Sequence, residues 1–155
     1  MDSSTWLLLC RTVRFGDPDA AGVMHFHQLL RWCHEAYEES LERFGLPAVA
    51  IFPRPVWPGD QDEPAPVALP IVHCSADYHR PLRTGDPLTI ALEPRRLDPG
   101  QFEVSYSFQR EGASVARGLT RHLAITTTDR SRCALPEAIQ RWLEASGLGS
   151  GVRAL

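Results

Sequence analysis

An acidic turn and the start of the longest amphipathic segment stand together in the stretch Phe15-Gly-Asp-Pro-Asp-Ala-Ala-Gly-Val-Met-His-Phe-His-Gln28. Asp17-Pro18 favours a turn, because an aspartate side chain can bond the backbone ahead of it and proline presets φ. Over residues 28–44 apolar side chains recur at steps of three and four with charged residues between them, which predicts a half-buried helix. Gly45 predicts a left-handed cap after that helix. The sequence therefore predicts a carboxylate held in a turn at the N-terminal end of a long packed helix.

Strand patterns lie on both sides of this segment. The apolar run Trp6–Val13 predicts a strand that leads into the acidic turn. Alternating residues predict four more strands, near residues 71–78, 88–92, 102–109 and 114–127. Glu111-Gly112 predicts a hairpin turn. Pro136 suits the first position of a short C-terminal helix, and the tail after Gly147 is expected to be loose.

These elements predict an α+β fold in which a meandering antiparallel sheet wraps around one long helix. An antiparallel sheet must cover one of its faces, and the helix over residues 28–44 is the available cover. A chain of 155 residues is expected to form one domain, spanning 1–155. Exposed sheet edges and surplus apolar surface favour pairing with another copy of the chain.

The connection between about residues 46 and 66 contains six prolines, with acidic residues among them. Such a composition cannot continue a helix or a central strand, so a long connection is predicted. Connections of this length often serve as lids or pocket walls. A solvent-exposed loop without such a role is an equally good interpretation.

The bulk composition excludes several classes of protein. With 43% hydrophobic and 23% charged residues the chain is typical of globular domains. The net charge of −3 and the absence of a long basic run argue against nucleic-acid binding. No apolar run approaches a membrane span, and Trp6–Cys10 is too short for a signal peptide, so a cytoplasmic location is expected. The four scattered cysteines are expected to be reduced thiols.

Taken alone, the candidate site residues allow more than one interpretation. Asp19 in a D-P-D-x-x-G turn is ordinary turn chemistry, and Asp17 is expected to be structural. The nearby histidines His25, His27 and His34 lack a partner pair at ligand spacing, so no metal site is predicted. His25 and His27 follow the acidic turn and could face a substrate. No G-x-S-x-G motif is present, which argues against a serine hydrolase.

The acidic turn and the helix after it resemble the aromatic-G-D-x-D-x-x-G signature of hotdog-fold acyl-CoA thioesterases of the 4-hydroxybenzoyl-CoA thioesterase type. The similarity is greatest to the branch of that family that hydrolyses 1,4-dihydroxy-2-naphthoyl-CoA in phylloquinone (vitamin K1) biosynthesis. It extends from Phe15–Gly22 and His25–His34 to the strand Pro70–Tyr78, the turn Gly85-Asp86 and the last strand. The resemblance implies a hotdog dimer, commonly paired into a homotetramer, that cleaves an aromatic acyl-CoA without metal or organic cofactor.

The resemblance also implies roles for particular residues. Asp19 matches the family's catalytic carboxylate, which could attack the thioester carbonyl or deprotonate a water. Arg95 and Arg96 resemble the basic pair that meets the nucleotide phosphates of CoA. Phe26 stands where the 4-hydroxybenzoyl enzyme has a tyrosine, so this chain departs from the family there.

Three other functions remain open on the sequence. The thioesterase could act on another acyl-CoA, such as 4-hydroxybenzoyl-CoA. An enoyl-CoA hydratase-like enzyme would use an aspartate and a nearby histidine, which Asp19 and His25 approach, but the expected Asn-Pro and spacing are absent. A hotdog domain that binds acyl-CoA without turnover is the third, because fold alone does not fix function.

Overall fold

A computed structural model describes residues 2–52, 58–59 and 65–151, without the side chains of residues 148–151. Its helices are α1 (Ser4–Leu7), α2 (Phe26–Phe44), α3 (Ala48–Ile51) and α4 (Glu137–Gly151). Its strands are β1 (Leu8–Thr12), β2 (Val67–Ala68), β3 (Ile71–Tyr78), β4 (Pro87–Asp98), β5 (Gln101–Arg110), β6 (Ala113–Leu123) and β7 (Ile125–Thr126). The predicted α+β class, an antiparallel sheet packed on one long helix, is confirmed.

Helix α2 forms where the apolar periodicity predicts it and begins at Phe26, two residues before the predicted start. Its buried face includes Leu29, Cys33 and Leu41, each at most 1% exposed. Gly45 has φ of 102°, and its N–H donates to the carbonyls of the last helical turn. This left-handed cap ends the helix as predicted.

The main sheet has five strands in the order β1-β4-β5-β6-β3, and all neighbouring pairs are antiparallel. Glu111 and Gly112, both with positive φ, form the predicted two-residue hairpin between β5 and β6. The predicted meander holds only for β4–β6. Strand β3 does not continue the meander, because residues 79–86 carry the chain from β3 across to β4. Strand β3 instead pairs with β6 at the edge of the sheet opposite β1. Just before β4, the Asp86 carbonyl accepts from Val13 N–H over 3.0 Å.

Strand β3 has only β6 as a hydrogen-bonded neighbour within the described residues, so it forms an edge of the sheet. Its side chains are exposed on both faces, including Ile71 (40%), Val72 (52%) and Tyr78 (46%). The alternation in this strand therefore does not mark a buried face within one protomer.

A single hydrophobic cluster lies between the sheet and α2, with Phe102, Val104, Tyr106 and Phe108 of β5 fully buried. A chain of hydrogen bonds crosses it, from Tyr106 Oη to Thr120 Oγ1 (2.9 Å) and on to His122 Nε2 (2.9 Å). Core polar groups are tolerated because they bond one another.

The predicted strand over Trp6–Val13 is wrong at its start, because residues 4–7 form the short helix α1. Trp6 is 3% exposed, and its indole Nε1 donates to Ser146 Oγ over 3.1 Å. Its ring also packs on Phe44 at a centroid distance of 5.2 Å. These contacts with two distant helices outweigh the local strand preference.

The chain after β6 also differs from the prediction. The last predicted strand is divided into β6 and β7 at Ala124, whose N–H donates to the Gly100 carbonyl over 2.8 Å. The C-terminal helix is longer than predicted, because α4 continues past Gly147 to Gly151. Trp142 of α4 is fully buried and donates to Ser40 Oγ of α2 over 3.1 Å. Helix α4 is thus a second packed helix beside α2.

The proline-rich connection contains α3 and leads into the two-residue strand β2, which pairs with β7. Residues 53–57 and 60–64 of the predicted loop lie outside the described residues. A role of this loop as a lid therefore stays a prediction.

Candidate active site

Asp19 lies in a tight turn that its own backbone closes. Its N–H donates to the Val23 carbonyl over 2.7 Å, and its carbonyl accepts from Gly22 N–H over 3.0 Å. Gly22 has φ of 80°, a left-handed conformation that glycine adopts without strain. One carboxylate oxygen of Asp19 accepts from Ala21 N–H over 2.7 Å, and no cation within the described residues pairs with the exposed carboxylate. The turn therefore fixes a carboxylate and leaves one oxygen open.

Asp17 serves the fold, as predicted. One of its oxygens accepts from Arg14 N–H over 2.7 Å, and the other accepts from Gln28 Nε2 over 2.8 Å. Its backbone carbonyl also accepts from His25 N–H over 3.0 Å. With both carboxylate oxygens engaged, Asp17 joins the acidic turn to the first turn of α2.

Helix α2 begins beside this turn, with His25 as its N-cap residue. Phe26 N–H has no acceptor in the part of the chain that the structure describes, as is usual in the first turn of a helix. Such an N–H lies at the positive end of the helix dipole and can bind an anionic oxygen.

Asp19 and Phe26 line the same groove, which has a volume of about 410 Å³. Its first wall is the acidic turn and the start of α2, and its second wall is the end of β3 and the segment after it. The lining residues are Asp19, Val23, Met24, Phe26, Tyr78, His79, Arg80, Pro81 and Leu82. Met24 N–H donates to the Leu82 carbonyl over 2.7 Å and ties the two walls together. We refer to this cavity as the Asp19 groove.

His25 and His27 lie at the rim of α2 and are not among the residues that line the Asp19 groove. Their imidazole nitrogens contact each other, and the ring centroids are 4.2 Å apart. A contact of either histidine with substrate stays a prediction.

Arg95 and Arg96 lie at the far end of β4, and the structure does not bring them to the Asp19 groove of the same protomer. The Arg95 guanidinium contacts the Glu103 carboxylate, which also accepts from Arg121 over 3.3 Å. The hydrogen bond from Arg95 is the main cause that lowers the pKa of Glu103 below its usual range. Arg96 makes a longer contact, from Nε to the Asp98 carbonyl over 3.3 Å.

A second cavity, of about 370 Å³, lies between β1 and α2 and has a polar lining. It contains Asp17 and Glu35, but both carboxylates are engaged. Glu35 pairs with Arg31 at 3.0 Å and with Arg11 at 3.7 Å. Because none of the described residues brings an open carboxylate to this cavity, the Asp19 groove is the better candidate for chemistry.

The second wall of the groove is not predictable from local sequence patterns. In the sequence Tyr78 is only one position in a strand, whereas in the fold its hydroxyl donates to the Phe26 backbone carbonyl. The same holds for His79, Arg80 and Leu82, which a local pattern does not connect to Asp19. The one available signal was that Pro70–Tyr78 belongs to the stretch that resembles the thioesterases.

Within the described residues no three histidine, cysteine, aspartate or glutamate side chains cluster closely enough to hold a metal ion. No helix among them is long and apolar enough to cross a membrane.

Comparison with known proteins identifies similar chains over nearly the full length. A model of the Thioesterase-like superfamily matches residues 13–143. The 1,4-dihydroxy-2-naphthoyl-CoA hydrolase of Synechococcus sp. (strain WH7803) is 61% identical over 148 residues, which cover 96% of this chain and 95% of that protein. The protein of the same name from Prochlorococcus marinus (strain MIT 9303) is 57% identical over 150 residues, covering 96% and 97% of the two chains.

A solved structure also superposes on this one. Slr0204, a 1,4-dihydroxy-2-naphthoyl-CoA thioesterase from Synechocystis, matches with a TM-score of 0.75 and 29% identity. The match covers 88% of this chain and 94% of that chain.

Proposed function

The chain belongs to the thioesterase-like superfamily, and from that premise we propose that it hydrolyses 1,4-dihydroxy-2-naphthoyl-CoA to 1,4-dihydroxy-2-naphthoate and CoA. The reaction is that of an acyl-CoA thioesterase on a hotdog fold. The substrate is suggested by the names of the similar cyanobacterial proteins and of Slr0204. A role in phylloquinone (vitamin K1) biosynthesis follows from that substrate.

One observation carries the proposal. The open carboxylate of Asp19 and the Phe26 N–H, which has no acceptor among the described residues, both belong to residues of one groove. Its volume of about 410 Å³ falls in the range of about 300–1,000 Å³ that small-molecule sites occupy. Much of its lining is apolar, including Val23, Met24 and Leu82, which suits an aromatic acyl group.

The chemistry needs few groups. The leaving thiolate of CoA resembles a cysteine side chain, with a pKa of about 8.5, so it departs with little help from a general acid. Asp19 either attacks the thioester carbonyl, forming an anhydride that water then cleaves, or removes a proton from a water that attacks the same carbon. In both routes negative charge develops on the carbonyl oxygen, and we assign its stabilisation to Phe26 N–H, which lies at the positive end of the helix dipole.

The remaining site residues are proposals of the same kind. Arg95 and Arg96 would meet the CoA phosphates, since arginine forks suit phosphate oxygens. Their distance from the groove of the same protomer means that they would serve a neighbouring protomer's site. His25 and His27, at the rim of the helix start, would contact the substrate outside the groove.

We further propose that the chain, a single domain over residues 1–155, pairs through the exposed edge of β3 and forms a homotetramer of hotdog dimers. The exposed apolar side chains of Ile71 and Val72 on that edge support the pairing. A cytoplasmic location is the corresponding expectation for the cell.

Steady-state hydrolysis of a panel of acyl-CoA thioesters tests the function. The panel contains 1,4-dihydroxy-2-naphthoyl-, 4-hydroxybenzoyl-, a medium-chain aliphatic and an enoyl-CoA. We expect fastest CoA release from the naphthoyl thioester and a loss of about 10²-fold or more in kcat/KM for Asp19→Asn, as is typical when a catalytic base is removed. Glu42→Gln, which removes an exposed carboxylate from the far end of α2, is the matched control and should retain full activity.

Activity that survives in Asp19→Asn would remove that residue from the mechanism. No CoA release from any thioester, with hydration of the enoyl-CoA or binding alone, would contradict the thioesterase function itself.

A further inference from the structure

Tyr78 brings a hydroxyl group to the Asp19 groove. It is the last residue of β3, pairs with Ala116 of β6, and has a half-exposed side chain. Its phenol reaches across the groove and donates to the backbone carbonyl of Phe26 in the first turn of α2. Among the described residues that line the groove, Tyr78 is the only one with a hydroxyl.

The helix does not need this hydrogen bond. In an α-helix the carbonyl of a first-turn residue already accepts from the N–H four residues ahead. A phenylalanine at position 78 would form the same apolar wall. The hydroxyl is thus surplus to the structure of α2, which points to a function toward whatever fills the groove.

The direction of the bond determines what that function is. A tyrosine has one O–H, and the Phe26 carbonyl takes it, so the phenol oxygen is left with lone pairs that can only accept. Partial burial raises the pKa of Tyr78 above its usual range, which keeps the phenol neutral and protonated near neutral pH. The group that completes its hydrogen bonding must therefore be a donor.

Few donors are available from the protein itself. The neighbouring groove residues Val23, Met24, Pro81 and Leu82 have no polar side-chain hydrogen, and the His79 ring is within 3.2 Å of Ser114 Oγ. Arg80 is the one other side-chain donor among the described lining residues, and its exposed guanidinium makes no hydrogen bond to the phenol there. An acyl group bound in the groove would displace water from the phenol oxygen. Unless that acyl group donates a hydrogen bond in return, the oxygen is left unsatisfied.

We infer that Tyr78 is a specificity-determining residue, which accepts a hydrogen bond from a hydroxyl on the aromatic ring of the acyl group. The inference rests on the proposed function and deepens it, because it assigns the groove to hydroxyaryl thioesters in particular. A site built to bond a substrate hydroxyl discriminates against the analogue that lacks it.

Matched substrate pairs test this role. We would measure kcat/KM for 4-hydroxybenzoyl-CoA beside benzoyl-CoA, and for 1,4-dihydroxy-2-naphthoyl-CoA beside 1-hydroxy-2-naphthoyl-CoA, in wild type and Tyr78→Phe. For at least one pair the wild type should prefer the substrate with the additional hydroxyl by about tenfold, the value of one good hydrogen bond. In Tyr78→Phe that preference should fall to about twofold or less, mainly through a loss on the hydroxylated substrate.

Tyr37→Phe is the control, because it removes a buried phenol hydroxyl that has no hydrogen-bond partner among the described residues and lies outside the groove. It should keep the wild-type preference, and thermal melts of both variants show that they fold. A Tyr78→Phe variant that loses activity equally on both members of each pair, or keeps the preference, overturns the inference. A wild type that hydrolyses aromatic thioesters without any hydroxyl preference overturns it as well, while leaving the proposed function intact.

A wild type that releases CoA from none of these substrates contradicts the proposed function instead. The two failures are therefore distinguishable in a single set of assays.

Discussion

The Gln28 carboxamide donates to the Asp17 carboxylate over 2.8 Å, so the first turn of α2 holds the turn that carries Asp19. Gln28 is 8% exposed, and its Oε1 has no partner within the described residues. A buried oxygen without a partner is costly, whereas the Nε2 bond fixes the acidic turn. The contribution of Gln28 is therefore to the geometry of the site more than to stability.

Gln28→Met should reduce kcat with little loss of stability. Methionine fills the same space, removes the donor to Asp17 and also removes the unpaired oxygen, so the two effects on the free energy of unfolding oppose each other. We expect a change in stability of about 1 kcal/mol or less and a clear drop in kcat. Gln140→Met, which removes a 2.8 Å bond from α4 to the carbonyl of Leu135 just before that helix, should leave kcat unchanged. Equal kcat in the two variants would show that Gln28 does not position the site.

Stability should fall between about pH 6.5 and pH 4 because of His122. Burial lowers the pKa of His122 from an ordinary 6.5 to about 4, and its ring stacks on Phe102 at a centroid distance of 4.6 Å. The unfolded chain takes up a proton near pH 6.5 while the folded chain does not until about pH 4, so the folded state loses up to about 3 kcal/mol over this interval.

Urea unfolding at pH 7, 5.5 and 4.5 measures this dependence. His122→Gln should be less stable at pH 7 and should show a shallower pH slope, because the titrating group is gone. An unchanged slope in the variant would assign the acid sensitivity to groups other than His122.

Gly118→Ala should destabilise the core through one specific contact. A Cβ at position 118 would lie 2.5 Å from Cys33 Sγ of α2, closer than packed atoms approach. We expect a loss of about 1–3 kcal/mol, and the double variant with Cys33→Ala should recover part of it. Gly147→Ala, where an added Cβ meets no atom within 4 Å, should be neutral or stabilising. A double variant no more stable than Gly118→Ala alone would contradict the contact.

Arg96→Ala should raise KM for acyl-CoA with little change in kcat, if this residue meets the CoA phosphates as proposed. We expect about a fivefold to tenfold effect, the value of a charge-assisted hydrogen bond. The effect should vanish for the same acyl group on pantetheine, which lacks the nucleotide. Arg117→Ala, on the exposed side of β6, is the control. A comparable rise with acyl-pantetheine would mean that Arg96 acts on something other than the phosphates.

The elements that the sequence predicts well are those with long regular patterns. Helix α2 has an apolar stripe over five turns and a glycine cap, and the β5–β6 hairpin has strict alternation around Glu111-Gly112. By contrast, the run that begins at Trp6 is too short to tell helix from strand. Its conformation depends on Phe44 and Ser146, which are distant in sequence.

The residues of the candidate site differ in the same way in how well the sequence predicts them. The acidic turn around Asp19 is local, and a single stretch of sequence contains both its hydrogen bonds and the resemblance that points to its chemistry. Tyr78 lies near that turn only because β3 is the edge strand beside β6. No local sequence pattern predicts strand order. Residues that depend on strand order were therefore missed.

The open edge of β3 has a consequence for how the protein is assayed. One wall of the groove stands at the end of this edge strand, which the described residues support from one side only. A second copy paired along that edge would also hold this wall of the groove in place. Dilution that separates the copies would then make the wall more mobile without changing any residue. If copies of the chain pair through this edge as proposed, the specific activity should depend on enzyme concentration and should drop once they separate.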